Sequence, residues 1–253
     1  MLTPTELERY DRQIGIEAIG LEGQQKLGRS KVVVAGAGGL GSPAALYLTA
    51  AGIGMIRVID HDRVCLSNLN RQVLHWEEDL GREKAESATA KLRKLNSGVK
   101  IEGVCEMITE ENVWRLVGEC DAIVDAMDNL PTRYLLNRCA IEKRIPFFHG
   151  AVSGCEGRVM TVLPGETACL RCMYRGPIPQ EKFPVIGVAP AMIGIIQATE
   201  VIKYLVGIGK LLTNRLLIYN GLELTFTELT IQKNPDCDHC GSGVTTESQR
   251  APR

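Results

Sequence analysis

Four glycines crowd the stretch "VVVAGAGGLGSP": Gly36, Gly38, Gly39 and Gly41. They lie between an apolar strand and a helix, where small residues let the backbone approach phosphates and the helix N-terminus turns its amides toward them. Asp60 ends the next strand, about 20 residues further on, where an acidic side chain can hold ribose hydroxyls. Strand, loop, helix and acid in this order describe a nucleotide site. A hydride-transferring NAD(P) dehydrogenase and an ATP user both fit it.

The residues behind Asp60 separate the two. "DHDRVCLSNLNRQVLHWEEDLGREKAESA" sets Asn68, Arg71, Gln72 and Lys84 close behind the ribose acid, and "DAMDN" puts Asp128 beyond the end of a later strand. Taken singly, each charged residue reads as a solvated loop or helix side chain. Together they suit nucleotidyl transfer rather than hydride transfer. Attack by a carboxylate on the α-phosphate builds charge on phosphate oxygens, which Arg and Lys stabilise. A Mg²⁺ held by an aspartate bridges to the pyrophosphate leaving group.

Two C-x-x-C pairs, Cys169/Cys172 and Cys237/Cys240, make the other cluster. Each pair spans one edge of a tetrahedron, and four thiolates leave no open position, so the spacing predicts a structural zinc. The rival reading is a redox pair, but that motif starts a helix after a strand in a thioredoxin-like unit, and a second pair would be surplus. His239, between two of the ligands, reads as a bystander. Cys105, Cys120 and Cys139 fall in strand or helix contexts and are expected to be buried and inert. Cys65 and Cys155 remain as candidates for handling sulfur. His61, His75 and His149 show no partner pattern, and no role is assigned to them.

The elements that must position these residues alternate along the chain. Thr3, Pro4 and Glu6 form a capping box that starts a helix. Strands are read at 31–35, 55–60, 99–104, 121–126 and 146–150, and helices at 42–51, 82–95, 109–119 and 131–143. The alternation implies an α/β fold with a doubly wound, mainly parallel Rossmann-like sheet. A strand at 157–163, a long helix and the pair "NRLLIYNG" and "ELTFTELTI" add an antiparallel C-terminal extension. A single domain over 1–241 is expected: a helical arm at 1–28, a nucleotide-binding core at 29–153, and a zinc-bearing crossover and C-terminal part at 154–241. The stretch 242–253 reads as a disordered tail.

Charge is nearly balanced, 29 Lys and Arg against 30 Asp and Glu, which argues against nucleic acid as a partner. The apolar "VIGVAPAMIGIIQATEVIKYLVGIG" contains Glu200 and Lys203, costly charges in lipid, so it reads as a core or interface helix and no membrane is expected. A charged N-terminus and an odd count of nine cysteines suit a cytoplasmic chain with reduced thiols.

Read together, "RYDRQI", "GAGGLGS", "IDHDRVCLSNLNRQ", "GREKAESA", "DAMDN", "CLRC" and "NPDCDHC" resemble the MoeB/ThiF/HesA family, relatives of the adenylation domain of ubiquitin-activating enzymes. The likeness runs over residues 9–240. It implies an adenylyltransferase that uses Mg-ATP to activate the C-terminal Gly-Gly carboxylate of a small ubiquitin-like sulfur carrier protein. The resemblance brings the loop amides near Gly39 to the ATP phosphates and Asp60 to the ribose. It brings Asn68, Arg71 and Lys84 to the phosphates and Asp128 to Mg²⁺. It also implies a homodimer in which Arg12 reaches the neighbouring subunit's phosphates. Many sulfur-transferring members carry a cysteine in the loop after the first zinc pair. Here that loop is "YRGPIPQEKFPVIGVAPAMIG", with no Cys, Ser or Thr before the helix. The acyl-adenylate is therefore expected to pass to a separate sulfur donor, such as a sulfurtransferase. Adenylation of a small-molecule carboxylate, or a non-catalytic carrier-binding scaffold, are the other readings.

Overall fold

Lys31–Ala35 forms β1, buried from Val32 onward, as a continuous apolar strand covered on both faces must be. The computed structural model describes residues 2–174 and 184–241. Three helices precede β1: α1 (Pro4–Arg9), α2 (Asp11–Ile14) and α3 (Gly20–Arg29). The capping box holds, with Thr3 accepting from the Glu6 amide and the Glu6 carboxylate returning to the Thr3 amide.

The core then alternates: α4 (Gly41–Ala51), β2 (Met55–Ile59), α5 (Lys84–Leu95), β3 (Lys100–Val104), α6 (Val113–Val117), β4 (Ala122–Asp125), α7 (Leu130–Lys143) and β5 (Phe147–Ser153). A hairpin leads to β6 (Glu156–Val162), followed by α8 (Leu170–Met173), the long α9 (Val188–Val206), β7 (Arg215–Asn220) and β8 (Thr225–Thr230). The sheet has 8 strands in the order β3-β2-β1-β4-β5-β6-β7-β8. Pairings from β3 to β5 are parallel and those from β5 to β8 antiparallel. The chain order reverses between β1 and β4, and the crevice at the carboxyl ends of these strands is where open α/β sheets bind ligands.

Two helices are shorter than the sequence suggested. The expected helix at 109–119 is reduced to Val113–Val117, because the Asn112 side chain accepts from the Thr109 amide and donates to the Met107 carbonyl. Such local bonds offer the backbone an alternative to the helix. The helix expected from residue 82 begins at Lys84, since Arg82 and Gly81 pair back to Val64.

The apolar α9 is long enough to cross a bilayer but is a core helix lying on α4, β5 and β6. Its buried Gln197 donates to the carbonyls of Asp125 and Phe148, each at 2.8 Å. Its buried Glu200 accepts from Thr161 Oγ1 and the Leu212 amide and pairs with Lys203. The tail at 242–253 and residues 175–183 of the crossover loop lie outside the described residues.

Candidate active site

The glycine loop leaves β1 with Gly36 at φ +104°, a conformation that favours glycine. A Cβ on Gly36 would sit 2.6 Å from the Ala126 carbonyl oxygen, and one on Gly41 would sit 1.8 Å from the Gly36 oxygen. These two glycines let the loop close against the segment that follows β4. At Gly38 a Cβ would meet nothing nearer than Gln72 Nε2, at 3.5 Å, whereas at Gly39 it would crowd Pro190 at 3.1 Å and approach the Arg71 carbonyl at 3.5 Å. The start of α9 is pressed onto the same place, because a Cβ on Gly187 would lie 2.3 Å from the Asn70 oxygen.

One residue of this loop is held at both of its backbone hydrogen-bonding groups. The Ala37 amide donates to Asp60 Oδ2 at 2.7 Å, and the Ala37 carbonyl accepts from His75 Nε2 at 2.9 Å and Ser42 Oγ at 3.1 Å. A carbonyl can only accept, so His75 carries its proton on Nε2, and Nδ1 accepts from Ser87 Oγ at 2.9 Å. Burial pushes the His75 pKa below its ordinary value, which keeps the ring neutral. His75, given no role from sequence, thus fixes the loop.

Lys84, the first residue of α5, is buried. Its Nζ donates to Asp62 Oδ2 at 2.8 Å, while the Asp62 amide donates to Asp60 Oδ1 at 2.9 Å. Burial opposes ionisation of Asp62, but the Lys84 hydrogen bond and charge outweigh it and hold the carboxyl below its usual range. Sequence reasoning missed Asp62. Its signal was a second acid two residues after Asp60.

Gln72 is 5 % exposed, and its Oε1 has no hydrogen-bond partner among the described residues. A buried acceptor beside a glycine loop fits a ligand that brings a hydroxyl or amino donor, as adenosine does. Asn68 Oδ1 accepts from the Cys65 amide at 3.2 Å, and Arg71 Nη1 donates to the Ser67 carbonyl and Asn70 Oδ1, each at 2.9 Å. Asp128 is exposed just past the carboxyl end of β4, and among the described residues its one side-chain hydrogen bond is accepted from Asn129 Nδ2 at 3.4 Å. One free carboxylate suits magnesium, which takes one or two carboxylates and fills its sphere with water and substrate phosphates.

Arg12 stands apart. It is exposed on α2, which is tied through Gln13 to the Ala51 carbonyl at 3.0 Å. That carbonyl is at the far end of α4 from the glycine loop, and 11 helical residues span about 16 Å. Among the described residues Arg12 has no side-chain partner.

The four cysteines of the C-x-x-C pairs converge. Their sulfurs all lie within 4.8 Å of one another, with Cys169–Cys172 at 3.9 Å, Cys169–Cys237 at 3.7 Å and Cys172–Cys240 at 3.4 Å. A tetrahedron with Zn–S bonds of about 2.3 Å has edges of about 3.8 Å, so the donor set fits that ion. The Cys240 thiol lowers Cys169 to about 5, and burial raises Cys237 to about 11. The Asn234 amide donates to Cys172 Sγ at 3.4 Å. His239 Nδ1 accepts from Asn137 Nδ2 at 2.8 Å.

Among the other thiols, Cys139 is buried and raised to about 12 by burial, and Cys120 is raised to about 11 in the same way. Cys105 corrects the sequence reading: it lies just past the end of β3 at Val104 and is exposed. Cys65 is exposed. Half-buried Cys155 lines a cavity of about 500 Å³ with Asn70, Gly154 and residues 184–187.

Residues 10–239 match the ThiF family. The SAMP-activating enzyme E1 of Haloferax volcanii is 45 % identical over 248 residues, covering 96 % of this chain and 92 % of the relative. The sulfur carrier protein adenylyltransferase of Thermus thermophilus is 43 % identical over 254 residues, covering 96 % and 94 %. The adenylyltransferase and sulfurtransferase MOCS3 of Arabidopsis thaliana is 36 % identical, covering 98 % of this chain but 55 % of its own. Among solved structures, E. coli MccB with MccA-N7isoASN superposes with a TM-score of 0.84 at 25 % identity, covering 92 % of this chain and 75 % of that one. On its α/β architecture, its glycine loop and the span of the match, the chain belongs to the ThiF family.

Proposed function

We propose that the chain is an ATP-dependent adenylyltransferase that converts the C-terminal Gly-Gly carboxylate of a ubiquitin-like sulfur carrier protein into an acyl-adenylate, releasing pyrophosphate. Relatives at 45 % and 43 % identity that match nearly full length carry the names of a carrier-activating E1 and a sulfur carrier adenylyltransferase. The observation that carries the reading is the buried Lys84 ammonium, linked through Asp62 to Asp60 beside the glycine loop. A cation there meets the charge that grows on phosphate oxygens during displacement.

In this reading Asp60 and Gln72 hold the nucleoside, and the amides of Gly38 and Gly39 face the phosphates, with Gly36 and Gly41 shaping their loop. Asn68, Arg71 and Lys84 bind the phosphates, and Asp128 holds Mg²⁺. When bound, Mg²⁺ neutralises charge on the pyrophosphate leaving group. Arg12, distant from its own chain's loop, completes the site of a second copy, so a homodimer is the catalytic unit. The four-cysteine cluster holds a structural zinc that ties the crossover to the C-terminus. No thiol of the loop is available as a nucleophile, so the acyl-adenylate leaves noncovalently to a separate sulfur donor. The direct experiment is ATP–pyrophosphate exchange with candidate carriers. Exchange with an intact carrier, and none with one shortened by its last two glycines, supports the reading. Exchange that ignores the carrier overturns it.

A further inference from the structure

Asp125, the last residue of β4, is wholly buried, and so is His149 opposite it on β5. Asp125 Oδ2 accepts from His149 Nδ1 at 2.7 Å and lies 3.7 Å from Arg133 Nε, while Oδ1 accepts from the Met127 amide at 3.2 Å. Arg133, in the first turn of α7, donates to the Met127 carbonyl from Nε at 3.1 Å and also from Nη2. Both backbone groups of Met127 are therefore fixed by charged side chains. One residue beyond Asp128, Asn129 caps α7 by accepting from the Thr132 amide at 3.0 Å. Asp128 itself is exposed and hangs between these two pins.

We propose that Arg133, Asp125 and His149 are positioning residues that preset the Asp128 peptide, and so set the affinity of the site for its divalent cation. This rests on the reading of Asp128 as the magnesium ligand. Burying an arginine and an aspartate together is costly, and apolar residues join a strand to a helix as well. What apolar packing cannot supply is a directional hold on both backbone hydrogen-bonding groups of one residue, and so on the two peptides that lead into Asp128. A carboxylate that must meet a metal gains from arriving in place, because partners behind a ligand govern its orientation. His149 supplies the donor that turns the Asp125 carboxylate. Its Nε2 has no hydrogen-bond partner among the described residues, so Nδ1 makes the ring's polar contact, while the ring edge packs against Tyr174 at 6.0 Å between centroids.

The test measures ATP binding against Mg²⁺ concentration without carrier, so that no turnover enters, and pyrophosphate exchange alongside. Arg133→Met keeps side-chain length and removes both donors. His149→Leu removes the donor to Asp125, whereas His149→Asn offers its amide at the Nδ1 position. Arg133→Met and His149→Leu are expected to raise the Mg²⁺ concentration for half-maximal effect about tenfold or more, with metal-free ATP affinity unchanged. His149→Asn should restore the wild-type midpoint, which a space-filling role would not require. If Arg133→Met fails to fold, Arg133→Lys and the two variants at 149 decide the matter in the same way. Unchanged midpoints in folded Arg133→Met and His149→Leu, beside a lost Mg²⁺ response in Asp128→Ala, overturn the proposal alone. An Asp128→Ala chain with the wild-type Mg²⁺ response overturns the reading of Asp128 and the proposal with it.

Discussion

The Lys84–Asp62 pair is asymmetric, and that asymmetry makes a quantitative prediction. The Lys84 side chain is 6 % exposed and that of Asp62 is 54 % exposed. Replacing Lys84 with Met keeps the length and leaves Asp62 half in water, where it is solvated without its partner. It also removes a cation from a helix N-terminus, which is favourable by about 0.3–1 kcal/mol. Stability should therefore change by less than about 1 kcal/mol, the ordinary scale of an exposed pair. Asp62→Ala does the reverse, stranding a buried ammonium at that same helix start. Breaking a fully buried pair costs about 3–5 kcal/mol; water reaching the vacated half-exposed position reduces this to roughly 2–3 kcal/mol. Activity should follow another order. Lys84→Met should lose about 100-fold or more in pyrophosphate exchange, the scale of one preorganised donor to developing charge. Urea denaturation and exchange kinetics on the two variants give both numbers. If Lys84→Met is as unstable as Asp62→Ala, or keeps near-wild-type exchange, the assignment of Lys84 to the phosphates fails.

Metal analysis should find about one zinc per chain, and Cys172→Ser or Cys240→Ser should lower stability more than ATP affinity per folded molecule, since closed thiolate sites contribute to folding directly. A metal-free wild type of full stability refutes this. Inactive Arg12→Ala and Asp128→Ala chains should regain activity when mixed, because one hybrid site then has both groups; demonstrated heterodimers without recovery place Arg12 outside the chemistry. Burial lowers the pKa values of His75 and His149 in the folded chain below their ordinary 6.5. As pH falls through about 6.5 the unfolded chain takes up protons that the folded chain refuses, so stability should fall on acidification and rise toward neutrality. Urea midpoints that stay flat between about pH 5 and 7, or that rise as pH falls, contradict the neutral assignment.

Much of the frame was legible because its causes are local. β1 is read from five residues that need cover on both faces, and α1 from a capping box closed within four residues. The four-cysteine cluster follows from two short spacings, although the pairs are 68 residues apart. What escaped depends on partners that only the sheet brings together. His75 meets Ala37 across 38 residues, and His149 meets Asp125 across 24 because two parallel strands align them. No spacing rule marks such pairs, so both histidines read as unassigned. Cys105 was misjudged although the strand end at Val104 was read correctly, because the residue just past it faces solvent, and the helix before Gly118 was misjudged because the Asn112 side chain bonds the neighbouring backbone.

The central claim is the bond formed on the carrier. Intact-protein mass spectrometry of an enzyme, Mg-ATP and cognate Gly-Gly carrier mixture tests it most directly. The account predicts a carrier bearing one AMP, pyrophosphate as the other product, no covalent adduct on the enzyme, and conversion of the adenylate to a thiocarboxylate when sulfide or a persulfide donor is added. A reducible enzyme–carrier conjugate lost on replacing Cys65 or Cys155 would contradict the noncovalent release, and ADP with phosphate in place of AMP with pyrophosphate would contradict adenylation itself.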